Sequence, residues 1–66
     1  MGRGYSSQHL VELLEADGWY VVAREGAHMH FRHPTKPGRV TVQHPLDDVP
    51  AATRRSIAGQ AGIKIG

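Results

Sequence analysis

Gly26-Ala27-His28-Met29-His30-Phe31-Arg32-His33 is the stretch around which this chain organises itself. Three histidines, an arginine and a turn-forming glycine fall within eight of its 66 positions. In a strand, successive side chains point to opposite faces. His28, His30 and Arg32 therefore share one face, and Met29 and Phe31 share the other. One face carries chemistry and the other carries core.

The flanking residues turn this strand into a sheet. Glu25-Gly26-Ala27 supplies a tight reversal, with Gly26 free to take positive φ. Before it, Trp19-Tyr20-Val21-Val22-Ala23-Arg24 is aromatic and β-branched, and so strand. After it, Pro34 ends the ladder because proline has no N–H to donate. Pro37-Gly38 fits the central pair of a type II turn, bending Lys36-Pro37-Gly38-Arg39 back on itself. A third strand, Arg39-Val40-Thr41-Val42-Gln43-His44, stops at Pro45. Short turns between three strands make an antiparallel meander.

A helix is expected on either side. Ser6 or Ser7 offers an N-cap oxygen. Leu10, Leu13 and Leu14 then form an apolar stripe flanked by Val11, and Gly18 suits a left-handed C-cap. Pro50 fits the first position of a second helix, with Asp47 and Asp48 ahead of its positive end. Ile57 and Ala61 mark the buried side of that helix, and Gly62 is placed to cap it. Residues 1–5 read as a loose lead-in, while Ile63 and Ile65 either fold back onto the core or fray.

The length fits one small domain over residues 1–66. Without cysteine, neither a disulfide nor a thiolate metal site can staple it. No apolar run approaches a membrane span and no signal-peptide pattern opens the chain, so the expectation is a cytoplasmic protein with no membrane partner. The net charge of +2 is unevenly spread. Residues 1–25 sum to −2, from two arginines against four carboxylates, and residues 26–66 sum to +4, from six cations against two carboxylates. The basic part also holds four of the five histidines, a distribution that suits an anionic partner such as RNA or is simply a solvated basic surface.

The expected fold is thus α+β, in the order α-β-β-β-α. A three-stranded antiparallel sheet carries two helices on one face and leaves the other free, as in double-stranded-RNA-binding domains. Five segments then match a known family: Leu13-Leu14-Glu15-Ala16-Asp17-Gly18-Trp19, Gly26-Ala27-His28, Phe31-Arg32-His33-Pro34, Gly38-Arg39-Val40-Thr41-Val42 and Gln60-Ala61-Gly62. Together, and in this order, they resemble the HicA toxins of toxin–antitoxin pairs from about Ser7 to Ile63. The resemblance implies a double-stranded-RNA-binding-like fold, cleavage of mRNA, and neutralisation by a cognate HicB antitoxin. The family's glycine, small residue and catalytic histidine fall on Gly26, Ala27 and His28. Ala27 stands where the family usually has serine, so that hydroxyl is missing, and Met29 stands where a second histidine often follows.

RNA carries its own nucleophile, the 2′-hydroxyl beside the scissile phosphate. Cleavage needs a base for that proton, an acid for the leaving 5′-oxygen and cations for the phosphorane. His28 is the candidate acid–base group, with His30 as second proton carrier or as a plain exposed strand residue. Arg32, Lys36 and Arg39 are the candidate phosphate-binding cations, and Tyr20 or Trp19 could stack on a base if not in the core. His28-x-His30-x-x-His33 has spacing that can chelate zinc, but His33 falls on the other face of a regular strand, so no metal and no cofactor are expected. The rival functional reading is a non-catalytic RNA-binding module of the same fold.

Overall fold

The computed structural model describes residues 4–65. Its elements are α1 (Ser7–Ala16), β1 (Tyr20–Glu25), β2 (His28–Arg32), β3 (Val40–Gln43) and α2 (Ala51–Ala61). The strands form one antiparallel sheet in the order β1-β2-β3. This α-β-β-β-α arrangement is the double-stranded-RNA-binding-domain-like fold that the pattern of strands and helices predicts.

Ser6 is the N-cap of α1, and its Oγ accepts from the His9 amide at 3.1 Å. Ser7 does different work. It is buried, its Oγ accepts from the Leu46 amide at 2.8 Å, and its hydroxyl is 2.8 Å from His44 Nδ1. With Ser7 turned inward, the buried stripe becomes Leu10, Val11 and Leu14, whereas Leu13 is half-buried. The expected stripe put Leu13 in and Val11 at the margin; the anchoring of Ser7 under the 44–46 segment rolls the helix by about one position.

The hairpin between β1 and β2 closes through Gly26 and Ala27. Gly26 has φ +59 and no non-glycine residue has positive φ among the described residues, the signature of a type II′ turn. The register pairs Glu25 with His28, Ala23 with His30 and Val21 with Phe31, so an irregularity falls at Val22. On the covered face Met29, Phe31, Val40 and Val42 meet Leu10, Val11, Leu14, Val49, Ile57 and Ala61. Trp19 precedes β1 rather than opening it; its ring is buried and Nε1 donates to the Ala61 carbonyl at 3.3 Å. Trp19 is therefore core, and Tyr20 remains half exposed on the strand.

Pro50 caps α2 rather than entering it, and the first helical bond runs from the Arg54 amide to the Pro50 carbonyl at 3.0 Å. Gly62 ends the helix in the left-handed region at φ +67. Beyond it the Ile63 amide bonds the Ala58 carbonyl, and Ile63 and Ile65 pack against the core. Within the expected lead-in, Met1 to Arg3 lie outside the described residues. Tyr5 is held rather than loose: its carbonyl accepts from the Val49 amide at 2.7 Å, and Arg54 lies 4.7 Å over its ring. No helix among the described residues is long and apolar enough to cross a membrane.

Candidate functional site

The free face of the sheet is built by alternation. Met29 and Phe31 are buried, so His28, His30 and Arg32 must face outward on β2. On β3 the same logic buries Val40 and Val42 and exposes Thr41 and Gln43. Cross-strand register then sets Glu25 and Gln43 on either side of His28, and Ala23 and Thr41 on either side of His30. Arg32 lies opposite Tyr20 at the far end.

Within this face the two outward histidines differ. His30 is clamped: Nε2 is 2.9 Å from Glu25 Oε1 and Nδ1 is 2.9 Å from Thr41 Oγ1. His28 is exposed, and among the described residues its ring nitrogens have no hydrogen-bond partner. The carboxylate of its cross-strand neighbour Glu25 is turned to His30 instead. His28 thus sits one residue past the Gly26-Ala27 turn with both ring nitrogens open.

The remaining histidines are structural or remote. His33 Nε2 donates to the Asp17 carbonyl at 2.7 Å, and Nδ1 accepts from the Thr35 and Lys36 amides, each at 3.1 Å. Those amides can only donate, so Nδ1 is the bare nitrogen. The ring also meets Trp19 edge-on at 5.2 Å. Gly18 is required there: at φ +107, a Cβ would stand 2.9 Å from His33 Nε2. His44 Nδ1 is hydrogen-bonded with the Ser7 hydroxyl, while His9 lies on α1 with its ring edge-on to Tyr5 at 4.9 Å. The three histidines of the His28-x-His30-x-x-His33 spacing do not converge, and no cluster of three or more metal-ligating side chains occurs among the described residues.

The cations divide as well. Lys36 points away from the open face: Nζ donates to Asp17 Oδ2 at 2.6 Å and to the Ala61 and Gly62 carbonyls, each at 3.1 Å. Three donors meet three acceptors, so Lys36 ties the C-termini of both helices and keeps none for a phosphate. The ammonium's hydrogen bond, foremost, holds the Asp17 carboxyl below its usual value of 3.8. Arg32 makes one bond, from Nη1 to the Gly38 carbonyl at 3.1 Å, which fixes the guanidinium near the β2–β3 turn. Arg39 is exposed beside that turn without a hydrogen-bond partner among the described residues. Gly38 has the positive φ, +86, expected of the bend. Arg32 and Arg39 are therefore the sequence-predicted cations that remain available near the sheet.

The sequence places Glu25 in the reversal before β2 and Thr41 in the third strand, and the structure joins both to His30. The signal was present in the alternation of β3, which puts Thr41 on the same face as the histidines. What carried no sequence signal was the carboxylate's choice between two imidazoles.

No curated protein matches this chain. The family model described as the HicA toxin of bacterial toxin–antitoxin systems matches residues 7–63, which takes in every element from α1 to α2. With the fold and an open histidine after the glycine turn, that match establishes that the chain belongs to the HicA toxin family, the toxin side of a toxin–antitoxin pair.

Proposed function

We propose that this toxin is a metal-independent ribonuclease that cleaves mRNA, with His28 as the acid–base group and a cognate HicB antitoxin as its inhibitor. The reading rests most on one contrast. On the sheet, His28 at the family's catalytic position is exposed with both ring nitrogens free among the described residues, whereas His30, His33 and His44 each have at least one ring nitrogen bonded; the other unbonded ring, His9, lies on α1 edge-on to Tyr5. A proton-transfer group must reach substrate by a hydrogen bond of about 3 Å, and only an unpartnered ring does so without first breaking its own contacts. Gly26 supports this role by making the turn that presents His28. Arg32 and Arg39 would bind the phosphates flanking the scissile bond and neutralise charge on the phosphorane.

The antitoxin partner that family membership implies would act by covering the open face, placing acidic groups against Arg32 and Arg39 and closing access to His28. The test incubates the purified protein with a long unstructured RNA in EDTA, alongside His28→Ala. Cleavage by wild type, with 2′,3′-cyclic phosphate ends, and its loss in the variant support the reading. Binding without cleavage by either protein would favour the non-catalytic RNA-binding module instead. Loss of wild-type activity on chelation would require a metal.

A further inference from the structure

Glu25, His30 and Thr41 come from three different strands and meet in one chain of hydrogen bonds across the open face. A carboxylate only accepts, so the proton of the neutral ring lies on Nε2, toward Glu25. Nδ1 is then bare and accepts from the Thr41 hydroxyl. The order is hydroxyl, imidazole, carboxylate, the arrangement by which a base oriented by an acid withdraws a hydroxyl proton. The His30 side chain is only 12% exposed, whereas Thr41 is exposed. Substrate therefore meets the hydroxyl end of the chain and not the ring.

We propose that Thr41, His30 and Glu25 form a proton relay in which the Thr41 hydroxyl takes the 2′-hydroxyl proton of the RNA while passing its own to His30. The proposal rests on the ribonuclease reading above and supplies the base that His28, acting as acid, lacks. Thr41 lies opposite His30, and His28 lies opposite Gln43, so Thr41 and His28 are diagonal neighbours on one face. Such neighbours stand roughly 7–8 Å apart, a gap that one phosphodiester can enter with its attacking oxygen at one end and its leaving oxygen at the other.

The step balances without a further reactant. The 2′-oxygen gives up its proton to Thr41 Oγ1 as that oxygen's own proton moves to His30 Nδ1. The freed electron pair on the 2′-oxygen forms the bond to phosphorus, and the phosphorus–O5′ bond breaks. The 5′-oxygen keeps that pair and takes a proton from protonated His28. The products are a 2′,3′-cyclic phosphate and a 5′-hydroxyl, and both histidines recover by exchange with water. The His30 imidazolium formed on the way stands against the Glu25 carboxylate, which stabilises it. Among the described residues, the other charged or titratable groups on this face of the sheet are His28 and Arg32, two residues to either side on β2, and Tyr20 of β1 opposite Arg32; β3 contributes the uncharged Thr41 and Gln43, and the helices lie on the opposite face.

The test is single-turnover RNA cleavage across pH in EDTA, with the melting temperature of each variant measured alongside. Thr41→Val keeps the shape and removes the hydroxyl; its cleavage rate is expected to fall about 100-fold or more with RNA binding unchanged, and Thr41→Ser to restore most of it. His30→Gln, which cannot take the Thr41 proton, should cleave slowly and with a pH–rate profile of different shape from wild type. Nitrogen-15 NMR should find the His30 proton on Nε2, with that preference weakened in Glu25→Gln. A Thr41→Val protein that cleaves at the wild-type rate, a Thr41→Ser protein as slow as Thr41→Val, or a His30 proton on Nδ1 overturns the relay. If wild type cleaves and needs His28 while Thr41→Val is unaffected, the relay alone fails. If wild type does not cleave, the ribonuclease reading fails and takes the relay with it.

Discussion

His33 and His28 stand five residues apart in the same stretch and live in opposite circumstances. Around His33, two helix C-termini converge with the β2–β3 loop. The imidazole holds two loop amides and the Asp17 carbonyl, while Lys36 holds the Asp17 carboxylate and the last carbonyls of α2. Around His28 there is a turn, a neighbouring carboxylate committed elsewhere, and solvent. Side-chain identity is the same in both places, so it cannot tell a structural imidazole from a reactive one. The surroundings do: a ring whose nitrogens hold loop backbone supports the fold, and a ring left open beside the glycine turn of the sheet is available to substrate.

Substitutions at the first region should therefore affect stability without selectively removing catalysis. His33→Ala is expected to destabilise by about 2 kcal/mol, since it removes the hydrogen bonds to two loop amides and the Asp17 carbonyl together with the edge contact to Trp19. Chemical denaturation measures this, and a loss below 0.5 kcal/mol, within the ordinary surface range of about ±0.5 kcal/mol, would dissolve the contrast. Lys36→Met should cost less, about 1 kcal/mol, through the uncapped carbonyls at Ala61 and Gly62. Its RNA affinity should not change, because the ammonium faces the helix ends; weakened RNA binding by a fully folded Lys36→Met protein would return this residue to the phosphate site.

The smallest effect is in acid. The Lys36 hydrogen bond depresses the folded-state pKa of Asp17, so its contribution to stability is complete above the ordinary carboxylate value of 3.8 and is lost as pH falls through the lower folded value. Wild type should lose stability more steeply than Lys36→Met over that acid range. Thermal unfolding at a series of pH values gives the two slopes, and parallel curves would mean that the pair contributes nothing.

Much of this was legible in the chain. The β2 alternation correctly divided Met29 and Phe31 from His28, His30 and Arg32, because a period of two leaves no other arrangement once one face is buried. The glycines at 18, 26, 38 and 62 all have the positive φ their turns require. Three things were less legible. Val11 replaced Leu13 in the stripe because Ser7, one of two candidate N-caps, proved to be a buried anchor. Lys36 looked like a phosphate ligand because its acceptors lie 19 to 26 residues away, at helix ends that only the tertiary fold brings near. The Glu25–His30–Thr41 chain depends on three strands in register, which composition and spacing do not specify.

The central claim, that the open imidazole is the chemical one, is tested most directly by comparing His28→Ala with His33→Ala for RNA cleavage per folded molecule. His28→Ala is expected to keep the wild-type melting temperature and to lose roughly 10²- to 10⁴-fold in rate, while His33→Ala melts lower but cleaves normally once corrected for its folded fraction. A His28→Ala protein that still cleaves RNA at the wild-type rate would contradict the account.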